Sequence, residues 1–238
     1  PVLEDMKDAL PTIKPSVFLA VPRVWEKFKA GLEAKIEENP KKDLIAKAIK
    51  NGLEKVDYEQ KGESVPFMIG VKHKVFSKLV FSKFKEGLGI VDTEYFVTAA
   101  APMNKDVHRW FHAIGIDVTE IYGMTEDTGP ATIGVPGNAV ESFSKRLKAD
   151  SIEVPSVLNP IGKVGIPIPG TEVKVMEDGE LCIKGNHVAQ GYYKSDEQTK
   201  ETFDSEGWLH TGDLAEIDSE GYVKIIGRKK EILITSAG

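Results

Sequence analysis

The hydrophobic residues of this chain change their period part-way along it, and no single motif restricts the fold as much. Between Arg23 and about Gly87 they recur at three- and four-residue steps, the spacing of one face of a helix. Trp25, Phe28, Leu32 and Ile36 form one such stripe, with Pro22 suited to a first turn and Asn39-Pro40 to a stop. Leu44, Ile45, Ala48, Ile49 and Leu53 predict a second helix, and Val75, Phe76, Leu79 and Val80 a third, closed by Gly87 and Gly89. The third helix sets Lys74, Lys78 and Lys85 on one face, which reads first as a solvated face and second as a contact for anionic lipid or phosphate.

A βαβ pattern follows. "TEYFVTAA" is a short apolar run that suits a buried parallel strand. After "APMN" a helix carries Val107, Trp110, Phe111 and Ile114 as one stripe, with Asn104 as its N-cap, and "IDVTEIY" is the next strand. Residues 130–165 are dense in Pro, Gly and Ser, so a subdomain boundary is expected there. Beyond it the period is two. "TEVKV" and "ELCIKG" flank the turn "MEDG", and "LHTGDLAEI" and "YVKIIG" flank "DSEG", which predicts two hairpins. The fold class expected is α/β: part of a helix-covered, mostly parallel sheet, then a β-rich subdomain of distorted-barrel type.

Composition removes several functions. An apolar fraction of 41% is ample for a core, while a net charge of −6 and a pI near 5.5 argue against a surface built for nucleic acid. No apolar run approaches the roughly 18–20 residues that span a bilayer, so no transmembrane segment is expected and a cytoplasmic location is, with room for peripheral membrane contact. The single Cys182 lacks a CxxC partner and reads as buried packing. His108 and His112 have the spacing of a zinc pair, but Arg109 stands where a metalloprotease carries its glutamate. GxGxxG after a strand, GxxxxGK[ST] and GxSxG are all missing, which removes complete Rossmann, Walker and hydrolase-elbow sites.

"TEIYGMTED", residues 119–127, stands at a strand's carboxyl end, where open α/β sheets bind ligands. Tyr122 can stack on a planar base, and Gly123 admits a ligand where a Cβ would collide. Thr125 offers a hydroxyl to phosphate, and Glu126 a hard oxygen for Mg²⁺. A strand end with ordinary turn residues explains this stretch equally well on its own. In "GWLHTGD", Asp213 has the acceptors for two ribose hydroxyls, and in "IIGRKKE" Arg228 is a charged fork for ribose or phosphate oxygens.

In order, "TAAAP", "YGMTED", "GYY", "GWLHTGD" and "GRKKEILITSAG" resemble the acyl-adenylate-forming superfamily of acyl-CoA synthetases, luciferases and peptide-synthetase adenylation domains. "FLAVPRVWEKF" and the block from "GELCIKG" to "ITSAG" look most like long-chain acyl-CoA synthetases. The resemblance covers most of this chain but only the middle third to half of such an enzyme. It implies the N-terminal domain fold of the superfamily and ATP-dependent conversion of a long-chain fatty acid to acyl-AMP and then acyl-CoA, with ATP, Mg²⁺ and coenzyme A as cofactor and co-substrates. By the same resemblance Tyr122 flanks adenine, Thr125 holds the α-phosphate, Glu126 binds Mg²⁺, Asp213 takes the ribose hydroxyls and Arg228 ribose or phosphate. Thr98 to Pro102, with Ala100 and Ala101, line adenine and the acyl carboxylate, and Lys230 stands at the hinge of a C-terminal lid. The domains implied are 1–129 (α/β), 130–227 (linker and β-rich part) and 228–238 (hinge and start of the lid).

Many relatives read Ser-Gly-Gly-Ala-Pro where this chain has Thr98-Ala99-Ala100-Ala101-Pro102, which bears on pocket width. The stretch 138–158 is longer than the usual linker. Both ends read as cut, with the family's phosphate loop expected before Pro1 and its lid lysine after Gly238, so the 238 residues alone are expected to be nearly inactive. The rival readings are a ligase for a short, aryl or amino acid, and a non-catalytic nucleotide-binding module.

Overall fold

A computed structural model describes residues 6–135, 157 and 159–231. The stretch 138–158, apart from Val157, and the terminal run "LITSAG" lie outside the described residues. Contacts divide the described chain into two compact units, one holding residues 6–119, 157 and 159–162, the other 120–135 and 163–231.

The first unit is largely helical: α1 (Met6–Ile13), β1 (Val17–Ala20), α2 (Pro22–Glu37), α3 (Lys42–Gln60), α4 (Phe67–Phe76), a π-helical turn (Ser77–Phe81), α5 (Ser82–Leu88), β2 (Tyr95–Thr98) and α6 (Lys105–Ala113). Strands β1 and β2 pair in parallel, Val17 opposite Tyr95. The helix starts follow local chemistry. Pro22 opens α2 because a first-turn residue needs no amide donor, and the Asn104 side chain accepts from the amides of Asp106 (2.9 Å) and Val107 (3.2 Å) to cap α6.

Trp25 is the centre of this core. It is fully buried, and its ring meets Phe18, Phe28, Phe96 and Phe111 edge-on at centroid separations of 5.1 to 6.3 Å. The stripe on α2 therefore packs as its spacing predicts. The α4–α5 stripe does not. The π turn adds a residue to the helical period, so Val80 and Phe81 are buried while Val75 and Leu79 face outward beside exposed Phe67 and Val71. The lysine face also splits, since Lys74 and Lys78 are exposed but Lys85 folds inward over the Phe96 ring, where burial lowers its pKa.

His108 and His112 both direct Nε2 at the carbonyl of Val118, at 2.6 and 3.0 Å, tying α6 to the chain that follows it. Asn159 adds a second tie, its Nδ2 donating to the Val118 carbonyl (2.9 Å) and to Asp117 Oδ1 (2.8 Å). Among the described residues no helix is long and apolar enough to cross a membrane.

The second unit is β-rich, with β3 (Val118–Met124, from Glu120 onward), a 3₁₀ turn (Thr125–Asp127), β4 (Gly129–Ile133), β5 (Ile166–Pro167), β6 (Thr171–Val175), β7 (Glu180–Gly185), α7 (Asp196–Thr202), β8 (Leu209–Ile217) and β9 (Val223–Arg228). β3, β4 and β5 pair antiparallel in sequence order. β6 to β9 form a second antiparallel sheet in sequence order, curled by register shifts at Glu180/Cys182 and Leu214/Ala215. Both expected hairpins are present. Among the described residues of each unit, β1 and β2 pair in parallel, whereas the tight turn after β3 reverses the chain at once and β4 runs antiparallel. Ala131, Ile183 and Leu209 form one apolar cluster of this unit and Leu181, Ala215 and Val223 another, with Tyr122 and Val173 packed against both.

Helices α3 and α6 approach so closely that a Cβ on Gly52 would stand 2.0 Å from the Ala113 carbonyl oxygen. Gly52→Ala is expected to destabilise the chain by about 3 kcal/mol, because backbone rather than a flexible side chain must give way. Urea denaturation checks this, and a loss below about 1 kcal/mol would show that the two helices can slide apart.

Candidate functional site

Seven of the residues singled out by sequence lie in the second unit, and Ala100 and Ala101 lie in the first, on the turn after β2. Ala100 holds φ 72°, a left-handed conformation that costs a residue with a Cβ about 1 kcal/mol.

Within the second unit, two strands deliver side chains to a carboxylate on a third. Asp213 on β8 and Arg228 on β9 are register partners, so their side chains share a face, and Arg228 Nε donates to Asp213 Oδ1 at 2.9 Å. Tyr122 on β3 donates its hydroxyl to Asp213 Oδ2 at 2.6 Å. Burial and then the hydrogen bond to Asp213 push the Tyr122 pKa far upward, so the phenol keeps its proton and remains a donor. Asp213 is only 6% exposed, whereas the Arg228 side chain is 60% exposed. A carboxylate accepts about four hydrogen bonds, and these two partners account for one on each oxygen of Asp213.

The turn between β3 and β4 carries the other candidates. Asp127, fully buried, accepts from the amides of Met124 (3.0 Å) and Gly129 (3.1 Å) and closes the turn, while burial raises its pKa. That leaves Thr125 exposed and Glu126 half-buried at the tip. Glu126 Oε1 accepts the hydroxyl of Tyr192 at 2.7 Å. Gly123 also has a packing reason: a Cβ there would lie 1.9 Å from the Gly129 carbonyl oxygen, at the register shift between β3 and β4. Lys230 is exposed and lines an open depression of about 1090 Å³, together with Met124, Glu180, Tyr192, His210 and Lys229. Tyr122, Asp213 and Arg228 are not among the lining residues of that depression.

Sequence spacing missed a polar network on β7 and β8. The Lys229 ammonium bridges Asp178 (2.5 Å) and buried Glu180 (2.9 Å), which raises its pKa to about 12. Burial alone would push Glu180 upward, but Lys229, the Gly212 amide and His210 outweigh it and hold the carboxyl below the usual range. His210 Nδ1 also lies 3.4 Å from Cys182 Sγ, and Glu180, Cys182 and His210 all come within 4.8 Å of one another. Burial and the Glu180 charge push the thiol to about 11, so it is protonated at neutral pH, and Lys229 already compensates the glutamate. Cys182 is fully buried, as its alternating context predicted. Its neighbour His210 comes from 28 residues away, beyond the reach of any CxxC search.

The profile described as "AMP-binding enzyme" matches residues 2–193. The chain is 37% identical over 233 residues to "Putative fatty-acid--CoA ligase fadD11" of Mycobacterium tuberculosis, covering 97% of this chain and 37% of that protein. It is 34% identical to "Long-chain-fatty-acid--CoA ligase ACSBG2" of Xenopus laevis, covering 95% of this chain and 28% of that one. The chain thus spans about a third of the length of these curated relatives. Among solved structures, the N-terminal domain of FACL13 from Mycobacterium tuberculosis superposes with a TM-score of 0.55 at 20% identity, over 95% of this chain and 42% of that chain. O-succinylbenzoate coenzyme A synthetase of Bacillus subtilis, in complex with AMP, gives 0.55 at 17% identity, over 97% and 34%. At such identities the superpositions establish the fold alone: the N-terminal α/β domain of acyl-adenylate-forming enzymes.

The network around Glu180 carries a pH signature. A depressed carboxyl contributes stability that is complete above its unfolded pKa and is lost as pH falls through the lower folded value. Lys229→Met is therefore expected to lower the urea midpoint at neutral pH, with the difference from the parent chain shrinking as Glu180 is protonated in acid. An equal difference at neutral and acid pH would show that Lys229 acts through packing and not through its charge.

Proposed function

The chain belongs to the AMP-binding enzyme family, and from that premise we propose that the longer protein containing it is an ATP-dependent long-chain fatty acid:CoA ligase. The observation that carries this reading is the convergence of Tyr122 and Arg228 on the buried Asp213 carboxylate, which sets acceptors suited to a ribose beside an aromatic ring and a guanidinium. In this reading Tyr122 flanks adenine, Asp213 accepts from both ribose hydroxyls, and Arg228, exposed beyond its Nε bond, offers its remaining N–H groups to ribose or phosphate. Thr125 donates to the α-phosphate, and Ala100 and Ala101 border adenine and the acyl carboxylate. Lys230 is the pivot of a lid.

The donor set at the turn tip suits a hard divalent cation: a half-exposed carboxylate with one oxygen fixed by a neutral phenol, next to a free hydroxyl. Glu126 is the residue that would hold Mg²⁺, which when bound supplies charge neutralisation across the phosphates. In the first half-reaction a fatty carboxylate oxygen attacks the α-phosphorus of ATP and pyrophosphate leaves. In the second, the CoA thiol attacks the acyl carbonyl and AMP leaves with the bonding electrons. The chain's own residues act by position and charge, as befits phosphoryl chemistry, and none serves as a covalent nucleophile.

The names of the fatty-acid–CoA ligase relatives support a fatty acid as the carboxylate. In the full-length protein, pyrophosphate exchange into ATP is expected with palmitate and not with acetate or amino acids. Exchange driven only by amino acids would overturn the substrate assignment. Asp213→Asn is expected to raise the KM for ATP by about 10- to 100-fold, the equivalent of about 1.5–3 kcal/mol for a charged hydrogen bond. An unchanged KM in a variant that melts like the parent would remove Asp213 from the ribose site.

A further inference from the structure

Glu126 is held from a direction its own turn does not explain. The loop that follows β7 is laced to the 125–127 turn by three hydrogen bonds. The Ala189 amide donates to the Glu126 carbonyl (2.7 Å), the Thr128 hydroxyl to the His187 carbonyl (2.7 Å), and the Tyr192 hydroxyl to Glu126 Oε1 (2.7 Å). Backbone and side chain of the glutamate are thus gripped by one loop lying 66 residues further along.

Tyr192 is itself immobilised. Its amide donates to Thr199 Oγ1 (2.9 Å), and that hydroxyl donates to the Ser195 carbonyl (2.8 Å) at the start of α7. Its ring packs edge-on against Phe203 at 5.7 Å, and Phe203 joins the apolar cluster of Ala131, Ile183 and Leu209. A continuous path therefore runs from core to carboxylate. The donor at its end is neutral. A lysine in that place would orient the glutamate equally well but cancel the charge a cation needs, whereas a phenol fixes the rotamer and leaves the charge in place. Only Oε1 is engaged, and Oε2 has no protein partner among the described contacts.

We infer that Tyr192 is a positioning residue that presents the free oxygen of Glu126 to a divalent cation; the inference rests on the metal-holding role proposed for Glu126. Mg²⁺ demands near-ideal octahedral geometry at short distance, so a glutamate free to rotate on an exposed turn is a poorer ligand than one held in a single rotamer. Partners that orient a metal ligand typically contribute 10- to 100-fold to metal affinity.

The test is Mn²⁺ binding, followed by electron paramagnetic resonance, to the full-length protein with a non-hydrolysable ATP analogue. Tyr192→Phe, which keeps the ring against Phe203, is expected to weaken Mn²⁺ affinity about 10-fold. Affinity for AMP without divalent ions, and the melting temperature, are expected to stay at the parent values. An unchanged Mn²⁺ affinity overturns the inference, and so does a parallel loss of AMP affinity, which would mark Tyr192 as a general support of the fold. Glu126→Gln separates the two layers. If it loosens Mn²⁺ while Tyr192→Phe does not, only the positioning role fails; if neither variant loosens it, the metal role of Glu126 fails and the inference with it.

Discussion

A buried carboxylate shared by a phenol and a guanidinium holds the second unit of this protein to its purpose. At 6% exposure the Asp213 carboxylate has lost most of its water, and an unpartnered buried charge is costly. Tyr122 and Arg228 supply the compensation, each from a different strand, so one anion fixes the mutual placement of β3, β8 and β9. The cross-strand register of Asp213 and Arg228 makes the pair a by-product of the hairpin, and the raised Tyr122 pKa ensures that the third partner always donates. The groups proposed to grip a nucleoside are therefore the same groups that hold the strands together.

The turn after β3 applies the same economy to a shorter segment. Asp127 spends its carboxylate on the backbone of the turn, and Gly123 is glycine because the Gly129 carbonyl occupies the space a Cβ would need. With closure assigned to those two residues, Thr125 is exposed at the tip, and the Glu126 side chain is held by the Tyr192 hydroxyl instead of closing the turn. A turn of three residues can leave two side chains for chemistry only when its neighbours do the folding.

The first unit depends on a different constraint, the close packing of aromatic rings around Trp25. Its helices are placed by shape more than by charge, which is why Gly52 has to lie against the Ala113 carbonyl. Ala100, like Lys14 in the same unit, holds a left-handed conformation, and Ala100 does so on the loop after β2 whose residues were singled out from sequence as bordering a ligand.

Periodicity, capping and turn chemistry were enough, from the sequence alone, to locate α2, α6 with its Asn104 cap, the β6–β7 and β8–β9 hairpins and the buried Cys182, because each depends on residues close together in the chain. Family resemblance likewise named Tyr122, Glu126, Asp213 and Arg228 as a group. Tertiary structure alone decided the outward turn of Val75 and Leu79, the inward fold of Lys85 and the reason for Gly123. It also decided the bridging of Glu180 by Lys229 and the grip of Tyr192 on Glu126. Those features join residues tens of positions apart, or follow from a π turn and strand bulges that shift register by one residue. A linear pattern records which side of an element a residue occupies, but not which distant element will come to face it.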